Sequence, residues 1–225
     1  MAQIFSETIN ISRMKRKKRL SQLLVALFSL CSLVACAQGK AGKASETQKE
    51  NTMKTNQKVL VVFFSHTGEN YGVGNITKGN THVVAEMIAD ATGGKLFEIA
   101  PVKEYPKTYD ACTEVAKKEK EAKSRPAVKA DINVEDYDVV YIGYPIWWGD
   151  MPMPVYTFIE KHDWKGKTVI PFCTHEGSGL DGTEQYIADA CKGATVKKGL
   201  AVQGTIAQND REQAKKAVGE WLRGE

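Results

Sequence analysis

The sequence lacks the cysteine and histidine patterns of a small disulfide-bonded or zinc protein. Its five cysteines form no Cys-x-x-Cys pair and have no regular spacing; they stand at positions 31, 36, 112, 173 and 191. This pattern excludes a disulfide framework and an ordinary zinc site. Of only four histidines, His175 lies near Cys173 and Glu176. Neighbours in one short segment rarely converge on one metal ion, so we expect no metal site there.

The main part of the chain also lacks a strong excess of either charge. The formal net charge of +4 hides two unequal parts. Residues 1–57 carry ten Lys/Arg and three Asp/Glu, hence +7, whereas residues 58–225 carry twenty-one and twenty-four, hence −3. A mildly acidic body gives no electrostatic basis for binding nucleic acid.

No apolar run in the N-terminal part is long enough for a comfortable membrane span. Met14 is followed by five basic residues, then by an apolar stretch from residue 20 to 35. This layout is typical of an export signal. "LVAC" (33–36) resembles the lipobox of bacterial lipoproteins, which implies a lipidated Cys36 on the outer face of the cytoplasmic membrane or in the periplasm. An uncleaved membrane anchor, or a basic run that only solvates the chain end, are the alternatives.

Three segments follow from this composition: an export signal at 1–36, a tether at 37–57 and one folded domain at 58–225. The tether is small, polar and nearly free of apolar side chains, so it cannot bury enough surface to fold. From residue 58, apolar strand-like runs alternate with helical patterns; the runs are "KVLVVFFS", "KLFEIA", "YDVVYIGY", "KTVIPFCT" and "ATVKKGLAV". Five strands alternating with five helices predict an α/β fold, a doubly wound parallel sheet with helices on both faces.

Ligands of such folds bind beyond the carboxyl ends of the strands, so three loops carry the functional prediction. Loop 1 (65–81, "SHTGENYGVGNITKGNT") follows the first strand and leads into a helix with Asn80 or Thr81 as its N-cap. Its hydroxyls, amides and helix N-terminus could hold a phosphate, although a plain hydrophilic loop is the alternative. "GNITKGNT" resembles a nucleoside triphosphate loop, but Asn80 replaces the essential lysine, which excludes triphosphate hydrolysis.

Loop 2 (143–154, "GYPIWWGDMPMP") follows the third strand, and loop 3 (174–182, "THEGSGLDG") follows the fourth. Glycines in loop 3 let backbone amides approach a ligand, and Glu176 excludes a Gly-x-Ser-x-Gly nucleophile elbow. A phosphate on loop 1, a flat heterocycle against the tryptophans of loop 2 and a polar edge on loop 3 together describe flavin mononucleotide (FMN). The alternative is that both tryptophans turn into the core.

The three loop motifs together resemble the bacterial flavodoxins and their flavodoxin-like relatives, from residue 58 to the end. The resemblance implies a flavodoxin-like five-stranded parallel sheet of order 2-1-3-4-5, with FMN as cofactor. It implies a phosphate site formed by Ser65, His66, Thr67, Gly68, Asn80 and Thr81. It places Pro145, Ile146, Trp147, Trp148 and Gly149 beside the flavin ring. It places Thr174, His175, Glu176, Gly177, Ser178 and Gly179 at the other edge of the ring.

Two departures from that family matter. Residues 69–79 interrupt the phosphate motif and could fold over the cofactor, with Tyr71 as a candidate contact. The segment from residue 58 to the end is also less acidic than flavodoxins usually are.

An electron carrier that docks with redox proteins is the first functional expectation. An FMN-dependent NAD(P)H oxidoreductase acting on a quinone or another small acceptor is the alternative, and a scaffold without FMN is a third. No catalytic side chain is required in the carrier.

Overall fold

The computed structural model describes residues 57–224. The predicted export signal, Cys36 and all but the last residue of the predicted tether lie outside the described residues. The strands are β1 (Val59–Phe63), β2 (Gly68–Asn70), β3 (Gly74–Ile76), β4 (Lys95–Glu98), β5 (Val139–Pro145), β6 (Thr168–His175), β7 (Thr195–Val196) and β8 (Leu200–Gln203). The helices are α1 (Asn80–Thr92), α2 (Tyr109–Glu121), α3 (Met153–Ile159), α4 (Thr183–Ala190), α5 (Gly204–Asn209) and α6 (Arg211–Leu222), with a 3₁₀ turn at Val134–Asp136.

The main sheet is parallel and has the order β4-β1-β5-β6-β7, with β8 also paired to β6. Numbered by the predicted strands, this order is 2-1-3-4-5, so the predicted fold class is confirmed. The fifth predicted strand is two short strands, β7 and β8, that occupy the same edge of the sheet. They are separated by Lys197, Lys198 and Gly199, which contribute no apolar side chain to the sheet.

Each face of the sheet carries its own apolar core. In β1, Leu60 and Val62 point into one core and Val61 and Phe63 into the other, and all four are almost completely buried. A parallel strand covered on both sides needs this continuous apolar composition. Helices α2, α3 and α4 pack on the first face, and α1, α5 and α6 pack on the second.

The closing helical segment differs from the prediction of a single helix over residues 208–224. The structure starts a helix at Gly204 and breaks it at Asp210. The Asp210 carboxylate accepts a hydrogen bond from the Gln213 amide at 3.0 Å, so it serves as the N-cap of α6. Asp is among the preferred N-cap residues, and the break follows from that local chemistry. None of the helices within residues 57–224 is long and apolar enough to cross a membrane.

The segment that interrupts the predicted phosphate motif folds as an antiparallel hairpin, in which β2 pairs with β3. The hairpin starts a few residues after β1 ends, and the chain comes back to the main sheet at Gly79, immediately before α1. The inserted residues therefore project from the carboxyl end of the sheet without displacing the helix that follows.

Candidate functional site

A cavity of about 410 Å³ lies at the carboxyl ends of β1, β5 and β6. This is the edge at which the sequence placed its three functional loops, and the volume suits a small organic ligand. Its walls come from the hairpin, the start of α1, the first turns of α2, and loops 2 and 3. The lining residues are His66, Glu69, Asn70, Tyr71, Asn80, Tyr109, Cys112, Thr113, Ala116, Pro145, Ile146, Trp147, Trp148, Thr174, His175 and Glu176.

Loop 1 closes on itself in space, although the hairpin divides it in the sequence. A Cβ atom added to Gly79 would lie 2.2 Å from Ser65 Oγ and 2.4 Å from the His66 carbonyl oxygen. Only a glycine permits this approach of two backbone segments. Ser65 Oγ also accepts a hydrogen bond from the His82 amide at 3.1 Å. The two halves of the predicted phosphate motif, 65–68 and 80–81, are therefore brought together by the close approach of Gly79.

The start of α1 differs from the prediction in one respect. Gly79, rather than Asn80 or Thr81, is its N-cap, and it provides no side-chain cap. Thr81 is not available for capping because its hydroxyl is hydrogen-bonded to the Thr174 hydroxyl at 2.8 Å, joining loop 1 to loop 3. Amides in the first turn of a helix have no intrahelical acceptor, and the first turn of α1 contains no acidic residue. Both features favour an anion there.

The tip of loop 2 is a tight turn that separates the two tryptophans. Trp147 and Asp150 exchange both backbone hydrogen bonds, and the central residues Trp148 and Gly149 have φ of +55° and +69°. These are the values of a type I′ turn, in which a tryptophan is sterically unfavourable. A side chain held in this way is a candidate for function.

Trp147 and Trp148 have different environments. Trp147 is half-buried, and its ring makes edge-to-face contacts with Phe64, His66 and Tyr105 at centroid distances of 5.0 to 5.8 Å. Trp148 is 53% exposed, and its indole N–H donates to the Thr113 carbonyl at 3.0 Å. Trp147 therefore packs partly in the core, and Trp148 lies at the cavity mouth. Both rings line the cavity, so the alternative in which both turn into the core does not describe them.

Loop 3 is organised by two side chains that accept backbone hydrogen bonds. His175 Nδ1 accepts from the amides of Gly177 and Gly179 at 2.9 and 3.1 Å. The Glu176 carboxylate accepts from the Thr205 amide at 2.7 Å and from its hydroxyl at 3.1 Å. The glycines predicted to approach a ligand therefore support His175, while His175 and Glu176 themselves line the cavity.

The wall formed by the hairpin and α2 was missed by sequence reasoning, apart from Tyr71. The Glu69 carboxylate accepts from the Tyr109 amide at 2.9 Å, so the hairpin caps the start of α2. The rings of Tyr71 and Tyr109 lie 6.0 Å apart at the cavity mouth. Lys107 was also missed; its Nζ donates to Thr67 Oγ1 at 2.8 Å and brings a positive charge to loop 1. No local pattern indicates these contacts, because each joins segments about forty residues apart.

The predicted ligand-binding residues fall into two groups. Nine of them line the cavity: His66, Asn80, Pro145, Ile146, Trp147, Trp148, Thr174, His175 and Glu176. The others lie around it without lining it: Ser65, Thr67, Gly68, Thr81, Gly149, Gly177, Ser178 and Gly179. Ser65 and Thr67, with His66, line a second cavity of about 250 Å³ that also contains Lys107. His66 therefore separates the aromatic cavity from a smaller, charged one.

His66 and the described cysteines have pKa values shifted toward their neutral forms. Burial lowers the pKa of His66, against a bond to the Pro106 carbonyl that raises it, and nearby Lys107 lowers it further. The described cysteines, Cys112, Cys173 and Cys191, are buried and free, and burial raises the pKa of each thiol to about 12. None is therefore a thiolate nucleophile at neutral pH. Within residues 57–224, no group of three His, Cys, Asp or Glu side chains could hold a metal ion.

Comparison with solved structures finds similar proteins that this chain covers almost completely, and two of them share about a third of its residues. A candidate flavoprotein from Bacteroides eggerthii shares 34% sequence identity with a TM-score of 0.58, over 75% of this chain and 97% of that one. A second, from Bacteroides uniformis, shares 32% identity with a TM-score of 0.58, over 74% and 98%. A Lactobacillus acidophilus flavoprotein solved in complex with FMN shares the fold at 19% identity and a TM-score of 0.52, over 69% and 97%.

Comparison with curated proteins finds no match. A sequence model of the flavodoxin family, in contrast, matches residues 58–220, which is most of the chain and nearly all of the described part. The parallel sheet and the position of the cavity agree with that match. The chain belongs to the flavodoxin family.

Proposed function

We propose that the protein binds FMN and transfers electrons through it. The observation that carries this proposal is the aromatic cavity at the carboxyl ends of β1, β5 and β6, in a chain that belongs to the flavodoxin family. The solved Lactobacillus relative, which is in complex with FMN, supports the choice of cofactor. When bound, FMN supplies the chemistry by accepting and donating electrons, and the protein holds and orients it.

The residues present fit such a group. Trp147 and Trp148 would lie beside the ring, because both line the cavity and aromatic side chains bind flat ring systems well. Loop 1 would hold the phosphate at its two rejoined halves, next to the first-turn amides of α1. The side chain of Thr67 would contribute a hydroxyl there, and Lys107 would contribute a positive charge. Lys78, the lysine of loop 1 itself, is paired with Glu86.

The two carboxylates that line the cavity do not oppose an anionic ligand strongly. Glu69 is engaged by the Tyr109 amide, and Glu176 by the amide and hydroxyl of Thr205. Each carboxylate is therefore hydrogen-bonded to a backbone N–H and is not a free acceptor in the cavity. The two carboxylates are thus compatible with a phosphate bound at loop 1.

The direct test is equilibrium titration of the apoprotein with FMN and with riboflavin, followed by flavin fluorescence. We expect FMN to bind more tightly, because only FMN carries the phosphate. Thr67→Ala should reduce FMN affinity about tenfold or more, the usual effect of removing a hydrogen bond to a charged group, and riboflavin affinity much less. Thr67→Ser is the matched control because it keeps the hydroxyl. Equal losses for both ligands would contradict the phosphate assignment, and absence of FMN binding would contradict the function.

The electron-carrier role and the oxidoreductase alternative differ in the source of the electrons that reduce the flavin. A carrier exchanges electrons with redox partner proteins, and the exposed mouth around Trp148, Tyr71 and Tyr109 offers access to the cavity. We expect the FMN-loaded protein to oxidise NADPH no faster than free FMN does in the presence of a quinone. Sustained turnover of NADPH with a small acceptor would contradict the carrier role and support the oxidoreductase.

We further propose that the protein is exported and held at the membrane by a lipid on Cys36. The basic run, apolar stretch and "LVAC" motif of the sequence support this proposal. Cys36→Ser should abolish lipid attachment and release the protein from the membrane fraction. Metabolic labelling with a radioactive fatty acid, followed by fractionation, measures both effects, and Cys31→Ser is the matched control. Unchanged membrane retention of the Cys36→Ser variant would contradict the anchor.

A further inference from the structure

The imidazole of His175 is fixed by the backbone of its own loop. Nδ1 accepts hydrogen bonds from the amides of Gly177 and Gly179, at 2.9 and 3.1 Å. An amide N–H can only donate, so Nδ1 carries no proton in this arrangement. A neutral imidazole has one protonated nitrogen, and in His175 that nitrogen is therefore Nε2.

The Nε2–H group of His175 is left without a protein acceptor. Both hydrogen bonds of this side chain within residues 57–224 are made by Nδ1. No side-chain nitrogen or oxygen in the described part of the chain is both buried and unpaired. Nε2 is consequently accessible, on a residue that lines the cavity.

The neighbouring Glu176 carboxylate accepts hydrogen bonds from Thr205 and not from Nε2 of His175. Both carboxylate oxygens of Glu176 accept hydrogen bonds from Thr205. The adjacent Gly204 lies close to both Glu176 and Asn80. Burial lowers the pKa of His175, and the negative charge of Glu176 opposes that shift less strongly. At neutral pH the imidazole is therefore a neutral donor with one free N–H.

We propose that His175 is a binding residue that donates a hydrogen bond from Nε2 to an acceptor atom of the flat ring held in the cavity. The inference rests on the proposed function and deepens it, because it assigns the polar edge of the ring system to one atom of the protein. A flavin ring carries carbonyl oxygens and unprotonated nitrogens at one edge, which is the chemistry that an N–H donor recognises. A ligand with an apolar edge would leave this donor unpaired and would bind less well.

The tautomer can be measured without any ligand. In protein labelled with ¹⁵N-histidine, correlations between ring nitrogens and ring protons distinguish an unprotonated Nδ1 from an unprotonated Nε2. We expect the Nε2–H tautomer for His175 at neutral pH. A protonated Nδ1, or a rapid exchange average between both forms, would overturn the inference directly.

Two substitutions separate the two nitrogens. His175→Asn places an amide oxygen near the position of Nδ1 and can keep the bonds to Gly177 and Gly179, but it does not reach the position of Nε2. His175→Gln places an amide nitrogen near the position of Nε2 but loses the acceptor that orders the loop. The amide chemical shifts of Gly177 and Gly179 report whether loop 3 is retained in each variant.

We expect His175→Asn to keep the two glycine amide shifts near their wild-type values and to weaken FMN and riboflavin equally, by about three- to tenfold. Equal loss is expected because both flavins share the ring. Unchanged affinity in this variant, or a loss for FMN alone, would overturn the assignment to the ring. A wild-type protein that binds neither flavin would refute the proposed function, whereas a flavin-binding protein with a silent His175→Asn variant would refute only the role of His175.

Discussion

Trp147→Ala should lower the free energy of unfolding by about 2 to 3 kcal/mol, whereas Trp148→Ala should change it by less than about 1 kcal/mol. The Trp147 ring is half-buried against Phe64, His66 and Tyr105, so its removal leaves a void among three rings. Trp148 is 53% exposed and has a positive φ of +55°, which is unfavourable for tryptophan and for alanine alike. Urea denaturation without added flavin measures both changes, because a bound ligand would add its own stabilisation.

The same two variants should behave differently when flavin is added. Both remove a ring from the cavity lining, so both should weaken flavin binding, and only Trp147→Ala should do so together with a loss of stability. Trp148→Ala thus isolates the contribution of a ring to binding. A Trp148→Ala variant with wild-type flavin affinity would mean that the turn holds this indole for another purpose. A Trp147→Ala variant of wild-type stability would contradict the packing of its ring.

The fold and the position of the site could be predicted because they depend on local patterns. The continuous apolar run of β1 predicts a strand buried on both faces, and the structure buries Leu60 and Val61 in opposite cores. Alternation of such strands with helices fixes a parallel sheet, and a parallel sheet collects the loops after its strands at one edge. The meeting of loops 1, 2 and 3 can therefore be predicted without knowing their side-chain contacts.

The second wall of the cavity could not be predicted because it depends on contacts between distant segments. The hairpin reaches α2 through the Glu69 carboxylate and the Tyr109 amide, which are forty residues apart. The sequence shows a glycine-rich, polar insert, and that composition is compatible with many loop conformations. The position of the Lys107 cation has the same origin, since the Gly68 backbone packs against the Lys107 backbone and the Lys107 side chain lies beside Thr67.

The N-cap of α1 shows a further limit of local rules. Asn80 and Thr81 are better capping residues than glycine by propensity. The Thr81 hydroxyl bonds to Thr174 instead, and Asn80 Oδ1 accepts from Gln208 Nε2 at 2.9 Å. Both side chains are hydrogen-bonded to distant residues, and Gly79 is the N-cap because only glycine fits against Ser65 and His66. The N-cap preference therefore fails at the residue where the two ends of loop 1 come together.

Gly79→Ala is the variant that tests this closure. Its added Cβ would lie 2.2 Å from Ser65 Oγ and 2.4 Å from the His66 carbonyl oxygen, distances that require the backbone of loop 1 to move. We expect a loss of about 2 to 3 kcal/mol in the free energy of unfolding, in the upper range for overpacking. Because the displaced atoms belong to the proposed phosphate site, FMN affinity should also fall more than riboflavin affinity.

Gly219→Ala is the matched control, since it makes the same chemical change at a site with space. Gly219 lies within α6, and the atom nearest to an added Cβ is Arg223 Nη1 at 3.6 Å, an ordinary contact. Alanine favours a helix over glycine, so this variant should gain up to about 1 kcal/mol and bind both flavins normally. If Gly79→Ala were as stable as the wild type and kept its preference for FMN, then residues 65–68 and 79–81 would not form one closed site, and the proposed phosphate position would be wrong.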